Sequence, residues 1–308
     1  MKKNITFLTA LMILNTGLIF GQDTTATTTE AKSENKPVKH TFENLVLINN
    51  QTVENLQKNS LEFTIQHRFG LIESEDDLWG LYAPSNIRLG LAYGITDKLA
   101  VGLGATKFKH QYDLNWKYKI LEQTKPQGMP VTLTYFGDLS YSGLEDENFL
   151  NQDGAYKSGN RYTWFHELMI ARKVNSHLSL QAAGTFSYMN LVDSTQGMKE
   201  HSYFGMSFIG RYQFTPQSSI IVDFDVPLTT YDVITETSTS TSKTVTTTPT
   251  PLYGFGVGYE VATSAHTFQI FVCSPNAIIN QENRVYNKND FFKGDVLFGF
   301  NITRNWGF

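Results

Sequence analysis

From Leu61 onward, apolar residues fall on every second position almost without relief. In SLEFTIQHRFG, Leu61, Phe63, Ile65 and Phe69 face one way and Glu62, Thr64, Gln66 and Arg68 the other. NIRLGLAYGI sets Ile87, Leu89, Leu91, Tyr93 and Ile95 against Asn86, Arg88, Gly90, Ala92 and Gly94. A period of two is the pattern of a strand with one apolar face. It continues through LAVGLGATKF, YDLNWKYKILE, VTLTYFGDLSY, YTWFHELMIARK, HLSLQAAGTFSYM, YFGMSFIGRYQF, SIIVDFDVPL, LYGFGVGYEVA, AHTFQIFVC and GDVLFGFNITR, twelve segments in all. Each is about ten residues long, the length a tilted strand needs to cross a bilayer. Strands of a soluble sandwich are nearer five or six residues. The pattern predicts an all-β fold, an antiparallel transmembrane β-barrel of about twelve strands and outer-membrane type.

The connections sharpen this reading. VNS, TPQS, TS and the TDK turn are very short, and QTKPQGMP is intermediate. The stretches 71–85, 143–161, 192–202, 229–251 and 274–293 are long. Short and long alternate, as between periplasmic turns and outer loops, except that KHQ is a short connection where a long one is expected. The terminal DVLFGFNITRNWGF places Phe298, Phe300, Ile302, Trp306 and Phe308 on one face. That face suits lipid, and the strand escapes an open edge by pairing with the strand from Leu61. Phe308, with Trp306 and Phe300 before it, resembles the signal that barrel-assembly machinery reads. The expected partners are therefore outer-membrane lipid and that machinery.

Upstream of the barrel, MKKNITFLTALMILNTGLIFGQ reads as a secretory signal peptide over 1–21, cut before Gln22. Residues 22–40 are polar, Thr-rich and without apolar period, the composition of a flexible periplasmic linker. Residues 41–60 form a short N-terminal segment expected at the periplasmic mouth, and the barrel domain spans 41–308. The single cysteine, Cys273, excludes an internal disulfide and lies far from any lipoprotein cut. A net charge of −4 gives no footprint for nucleic acid.

LVLINNQTVENLQKNSLEFTIQHRFG, IRLGLAYGITDKLAVGLG and WKYKILEQ together resemble a group of Bacteroidota proteins described as a membrane-bound β-barrel domain of unknown function (5777). The resemblance covers nearly all of the chain after the linker and implies fold and location. It brings no active site and no cofactor.

Parity assigns the lumen. Arg68, Arg88, Lys117, Asp138, Glu167, Arg211, Asp223, Glu260 and Asp295 face inwards, with Arg68 and Asp295 expected as neighbours across the closing seam. Such a ring of charge is either a constriction that selects solutes or an internal salt-bridge network filling a narrow barrel. The leading function is a small pore or solute-transport barrel. The alternative is a non-conducting barrel acting through its outer loops. Gly90, Gly94, Gly102, Gly104, Gly254, Gly256 and Gly258 also face inwards and either spare lumen volume or ease curvature.

No catalytic residue is expected. An outer-membrane phospholipase would also have twelve strands and a His-x-Ser pair, and SHLSLQ offers His177 and Ser179 on one face. They follow a short turn, however, at the wrong end of the barrel and without an orienting third residue. The seven histidines show no ligand spacing. The acidic stretches ESEDD and EDENFLNQDG lack the order of a calcium loop. TETSTSTSKTVTTTPTP is expected as a solvated outer loop or a glycan acceptor, and 23–25 and 193–195 match a short O-glycan motif.

Overall fold

The computed structural model describes residues 35–73, 78, 80–126, 128–194, 197–238 and 243–307. The signal peptide, the first part of the linker, most of ESEDD and Phe308 lie outside the described residues, as does Thr195 of the second glycan motif. No helix among the described residues is long and apolar enough to cross a membrane.

The twelve expected segments are twelve strands. They are β1 (Ser60–Leu71), β2 (Asn86–Gly94), β3 (Leu99–Thr106), β4 (Gln111–Leu121), β5 (Thr132–Ser142) and β6 (Tyr162–Lys173). The other half comprises β7 (Leu178–Met189), β8 (Ser202–Gln213), β9 (Ser218–Pro227), β10 (Gly254–Ala262), β11 (His266–Cys273) and β12 (Leu297–Gly307). Each pairs antiparallel with its sequence neighbours, and β12 returns to β1 to close the barrel. The seam runs from Gly307↔Ser60 to Leu297↔Leu71, with a bulge between Leu297 and Gly299. Closure satisfies every strand edge internally, which a sheet in hydrocarbon requires.

Burial is inverted relative to a soluble protein. Leu103 is 60% exposed, Ile270 59% and Leu168 49%, while Arg68 and Thr134 are 0%. Apolar side chains thus cover the outer wall and polar ones the interior, which fits lipid outside. Trp306 and Phe300 lie on that outer face, the ring of Phe300 stacked on His67 at 5.0 Å. Tyr118, Tyr212 and Tyr259 mark the wall near the short turns, and Tyr112, Phe204 and Phe298 mark it near the long loops. Two aromatic levels of this kind correspond to the interfaces of a bilayer.

The short KHQ connection is a tight turn of Phe108–His110, in which Lys109 and His110 take φ of 54° and 48°. The Thr-rich loop departs from the expectation of an irregular stretch. Tyr231–Ser238 pairs with Lys243–Thr250 as a hairpin outside the barrel. Thr has high strand propensity, and pairing with its own continuation satisfies the backbone that a solvated loop would leave to water.

The larger departure concerns residues 41–59. They do not sit at the mouth but enter the barrel and turn back inside it. Val46–Leu47 pairs with Asn50–Gln51, so Ile48 and Asn49 form the tip of a small hairpin. Phe42, Leu47, Ile48 and Val53 are at most 1% exposed and pack on inward-facing Phe136, Phe165, Met169, Ile209, Ile221 and Phe271. Each such side chain contributes about 1.5–3 kcal/mol on full burial, enough to draw the segment out of water and into an interior with a matching apolar patch.

From the opposite end, the long connection between β11 and β12 folds inwards as well. Its one helix, α1 (Asn280–Tyr286), has every residue from Asn280 to Val285 buried. The barrel is therefore filled from both ends.

Candidate functional site

The interior is where the charged side chains converge, and its occupants decide what it can do. Arg68 projects from β1 onto the tip of the inserted hairpin. Its Nη2 donates to the carbonyl of Ile48 (2.9 Å) and to Asn49 Oδ1 (3.0 Å), and Nη1 donates to Asn301 Oδ1 (3.1 Å). The guanidinium also lies 4.5 Å from the ring centroid of Phe271. Ile48 is held at φ 53°, a conformation a β-branched residue rarely adopts. Its backbone is pinned on both sides: its N–H donates to Gln269 Oε1 (3.2 Å), and its carbonyl also accepts from Asn301 Nδ2 (3.0 Å). Strain of this kind persists only where surroundings over-determine it.

Asp223, on β9, accepts from the backbone N–H of Asn49 (3.2 Å), from Asn49 Nδ2 (3.1 Å) and from Asn50 Nδ2 (3.3 Å). Asn50 Nδ2 also donates to Asp225 (2.9 Å). Lys117 spans the hairpin's base, donating to the carbonyls of Leu45 and Thr52 at 3.0 Å each. Arg211 pairs with Glu260 on β10 (2.7 Å) and with Glu43 of the inserted segment (2.9 Å). Glu54 of the same segment accepts from the Phe42 N–H (3.1 Å), and burial raises its carboxyl above the usual range.

The α1 side completes the filling. Arg284 forms an ion pair with Asp225 and donates to Asn50, so the two intruding elements touch inside the barrel. Gln281 donates to Asp138 (2.7 Å). Nearer the long loops, Glu282 accepts from Lys109 Nζ (2.6 Å) and Gln111 Nε2 (2.8 Å). Burial pushes the Tyr286 phenol well up.

Eight of the nine lumen residues expected from parity lie inside. Arg88 is matched by Asp113 on β4 (Nε–Oδ1 2.8 Å), and Glu167 by the hydroxyl of Ser207 (3.0 Å). Asp295 is the exception, and it is not beside Arg68. Gly294, at φ 98°, ends the turn Phe291–Lys293, so β12 starts only at Leu297. Asp295 instead accepts from the Asp290 N–H at 2.9 Å in the preceding loop.

The inward glycines make room for these groups. A Cβ on Gly104 would lie 2.3 Å from Arg88 Nη2, and one on Gly256 would lie 3.0 Å from Ile48 Cγ2. They spare volume, and the hairpin and the guanidiniums use it.

His177 and Ser179 do not combine. His177 is exposed in a turn, its Nδ1 2.8 Å from the Gln213 carbonyl, whereas Ser179 is buried on the inner wall. No group of three or more metal-ligating side chains is found among the described residues.

Sequence reasoning missed Asn49, Asn50, Gln281 and Arg284, which bond the intruding elements to Arg68, Asp138, Asp223 and Asp225 on the wall. The one available signal was amide density: LINNQ and NQENR cluster side chains that both donate and accept.

The family described as "Membrane bound beta barrel domain (DUF5777)" matches residues 42–306. No curated protein matches the chain. Among solved structures, the COG4313 outer membrane channel from Pseudomonas putida F1 is 11% identical, with 82% of this chain and 98% of that chain covered and a TM-score of 0.49. The NanC porin is 10% identical over 80% of this chain and 100% of that chain, at a TM-score of 0.47. The TodX deltaS2S3 mutant monoaromatic hydrocarbon channel is 9% identical over 82% and 91%, at 0.37. Likeness at this level carries no argument about what passes through the barrel.

Proposed function

The chain belongs to the DUF5777 family of membrane-bound β-barrel domains, and from that premise we propose that it is an outer-membrane barrel closed by its own fold, non-conducting as it stands and working through its outer face. The ends are assigned by loop length: the short turns and both barrel termini face the periplasm, and the long loops face outwards. The observation that carries the reading is the contact of Arg284 with Asn50 and Asp225, where the element from the outer side meets the element from the periplasmic side. Of the charges that could have formed a selective constriction, Arg68, Lys117, Asp138, Arg211 and Asp223 are instead partners of these two elements, and Arg88 is matched across the wall by Asp113. Withdrawing the hairpin would expose Phe42, Leu47, Ile48 and Val53, take from Asp223 its Asn49 and Asn50 donors, and break the ion pair of Glu43 with Arg211. Breaking one buried ion pair alone costs about 3–5 kcal/mol.

The test is conductance of the purified barrel in planar bilayers. The wild type is expected to be silent, and a variant lacking residues 41–58 to conduct once its assembly is verified by heat-modified gel mobility. A steady ohmic conductance in the wild type overturns the proposal.

A gated channel is the second reading, favoured by one observation: the linker upstream of the inserted segment is held by pairing of Lys36–Pro37 with Thr124–Lys125, so a withdrawn segment would stay anchored at both its ends, there and where it runs into β1 at Ser60. Brief wild-type openings that vanish when Asn49→Cys is oxidised onto Cys273 would put that reading in its place.

A further inference from the structure

If the outer face does the work, its concave features are where a ligand would be held. Two cavities open at the long-loop end, one of about 300 Å³ and one of about 190 Å³. Both are lined by Lys109, Glu282 and Tyr286, so they flank one ion pair on the side of α1 towards the long loops. The larger is walled by Phe108, Asn276, Asn283, Tyr286 and Asn287. The smaller is walled by Gln111, Asn148, Phe149, Asn160 and Arg161. Amides and aromatic rings thus dominate the larger wall, and the smaller mixes them with charged, hydroxyl and apolar side chains.

Two buried groups in these walls have no partner. Asn283 is 6% exposed and its Nδ2 donates to nothing in the protein. Gln111 is 2% exposed and its Oε1 accepts from nothing. The orientation of the Gln111 amide is set by Glu282, to which its Nε2 donates at 2.8 Å. Leaving such groups unmade is costly, and of the buried side-chain polar atoms without a protein partner among the described residues, these two are the ones on residues lining the outer cavities. One wall therefore offers an unmet donor and the other an unmet acceptor.

We propose that this outer mouth is a saccharide site, its two cavities taking the hydroxyls of a neutral ligand one or two sugar rings long. The inference rests on the closed-barrel reading, because it requires the ligand to stop at α1 rather than pass it. Sugar hydroxyls both donate and accept, so one can accept from Asn283 in the larger cavity and another donate to Gln111 in the smaller. Phe108, 46% exposed, presents an apolar ring for the C–H face of a pyranose. Lys109 is paired with Glu282 at 2.6 Å and Arg161 with Asp146, so these lining cations are already matched and do not call for an anion. The lining is too rich in amides for a hydrocarbon. The volumes are at or below the lower end of ligand pockets, about 300–1,000 Å³, which excludes long chains.

The experiment uses the full barrel in a zwitterionic, sugar-free detergent. Saturation-transfer NMR is recorded against neutral hexoses, N-acetylhexosamines and their disaccharides, with a panel of short peptides alongside. Binding of at least one saccharide is expected. Asn283→Ala and Gln111→Ala should each weaken it about tenfold, with folding checked by heat-modified mobility. Phe108→Ala, at an exposed position, should weaken it without touching the barrel. Binding by no saccharide, binding unchanged in all three variants, or binding of peptides alone overturns the inference. Conductance of the same preparation separates the failures: a silent barrel that binds no sugar sinks this proposal only, whereas a conducting one sinks the reading beneath it.

Discussion

Arg211 shows how single side chains hold the interior together. It is 2% exposed, it faces Glu260 at 1%, and Glu43 reaches it from the inserted segment. Arg211→Ala leaves Glu260 without its cation, at a cost of about 3–5 kcal/mol. Arg211→Met with Glu260→Leu removes both charges and should recover most of that loss, read as the midpoint of urea unfolding in detergent. If the double variant is no more stable than the single one, the pair is not the unit. That Arg211 and Glu260 face inwards was legible from period two alone. That Glu43 joins them was not, since parity orders residues along strands and says nothing of a side chain 168 positions away. Gly256 makes the same point by volume. Gly256→Val should unseat the hairpin, because its Cβ would lie 3.0 Å from Ile48 Cγ2 and 2.2 Å from Asp223 Oδ1. The measurement is protease sensitivity of residues 41–58, expected to rise in the variant while the barrel stays intact.

At the scale of elements, strands and intruders differ in how they announce themselves. Each barrel strand is long enough for alternation to stand out, because one face must match lipid and the other the interior. The inserted hairpin is short, and its apolar residues pack on an interior patch rather than along a continuous face. Its cluster, TFENLVLINN, reads equally well as a strand, a helix or a mouth cover. The seven residues of α1 are too few for a helical period, and no side chain caps the helix. From Leu297 on, the closing strand was legible, including its outward Phe300 and Trp306 and its pairing with β1, whereas the loop position of Asp295 was not. We further propose that Phe308 serves as an assembly signal. Deleting it should lower the amount of barrel inserted into outer membranes, measured by fractionation, and leave the unfolding midpoint of the inserted fraction unchanged. An equal fall in both would make Phe308 an ordinary seam residue.

Taken whole, the molecule is apolar at its outer wall, polar at its inner wall, and apolar again where the inserted hairpin meets Phe136, Phe165 and Phe271. Alternation along the strands encodes the first two layers. The third arises only when a distant segment finds the apolar patch, so it could not be read before the barrel was closed. A small pore was the leading expectation from charged inward positions, and the filled interior is the ground on which we propose its alternative, a non-conducting barrel. Cys273 offers a native probe of that filling. It is the chain's one cysteine, 0% exposed, and it packs in the same buried cluster as Ile48. The decisive measurement is the rate at which a water-soluble maleimide labels Cys273 in the membrane-inserted protein. Protection in the wild type, with rapid labelling once residues 41–58 are deleted, is the predicted result; equally rapid labelling of both would contradict a barrel closed by its own fold.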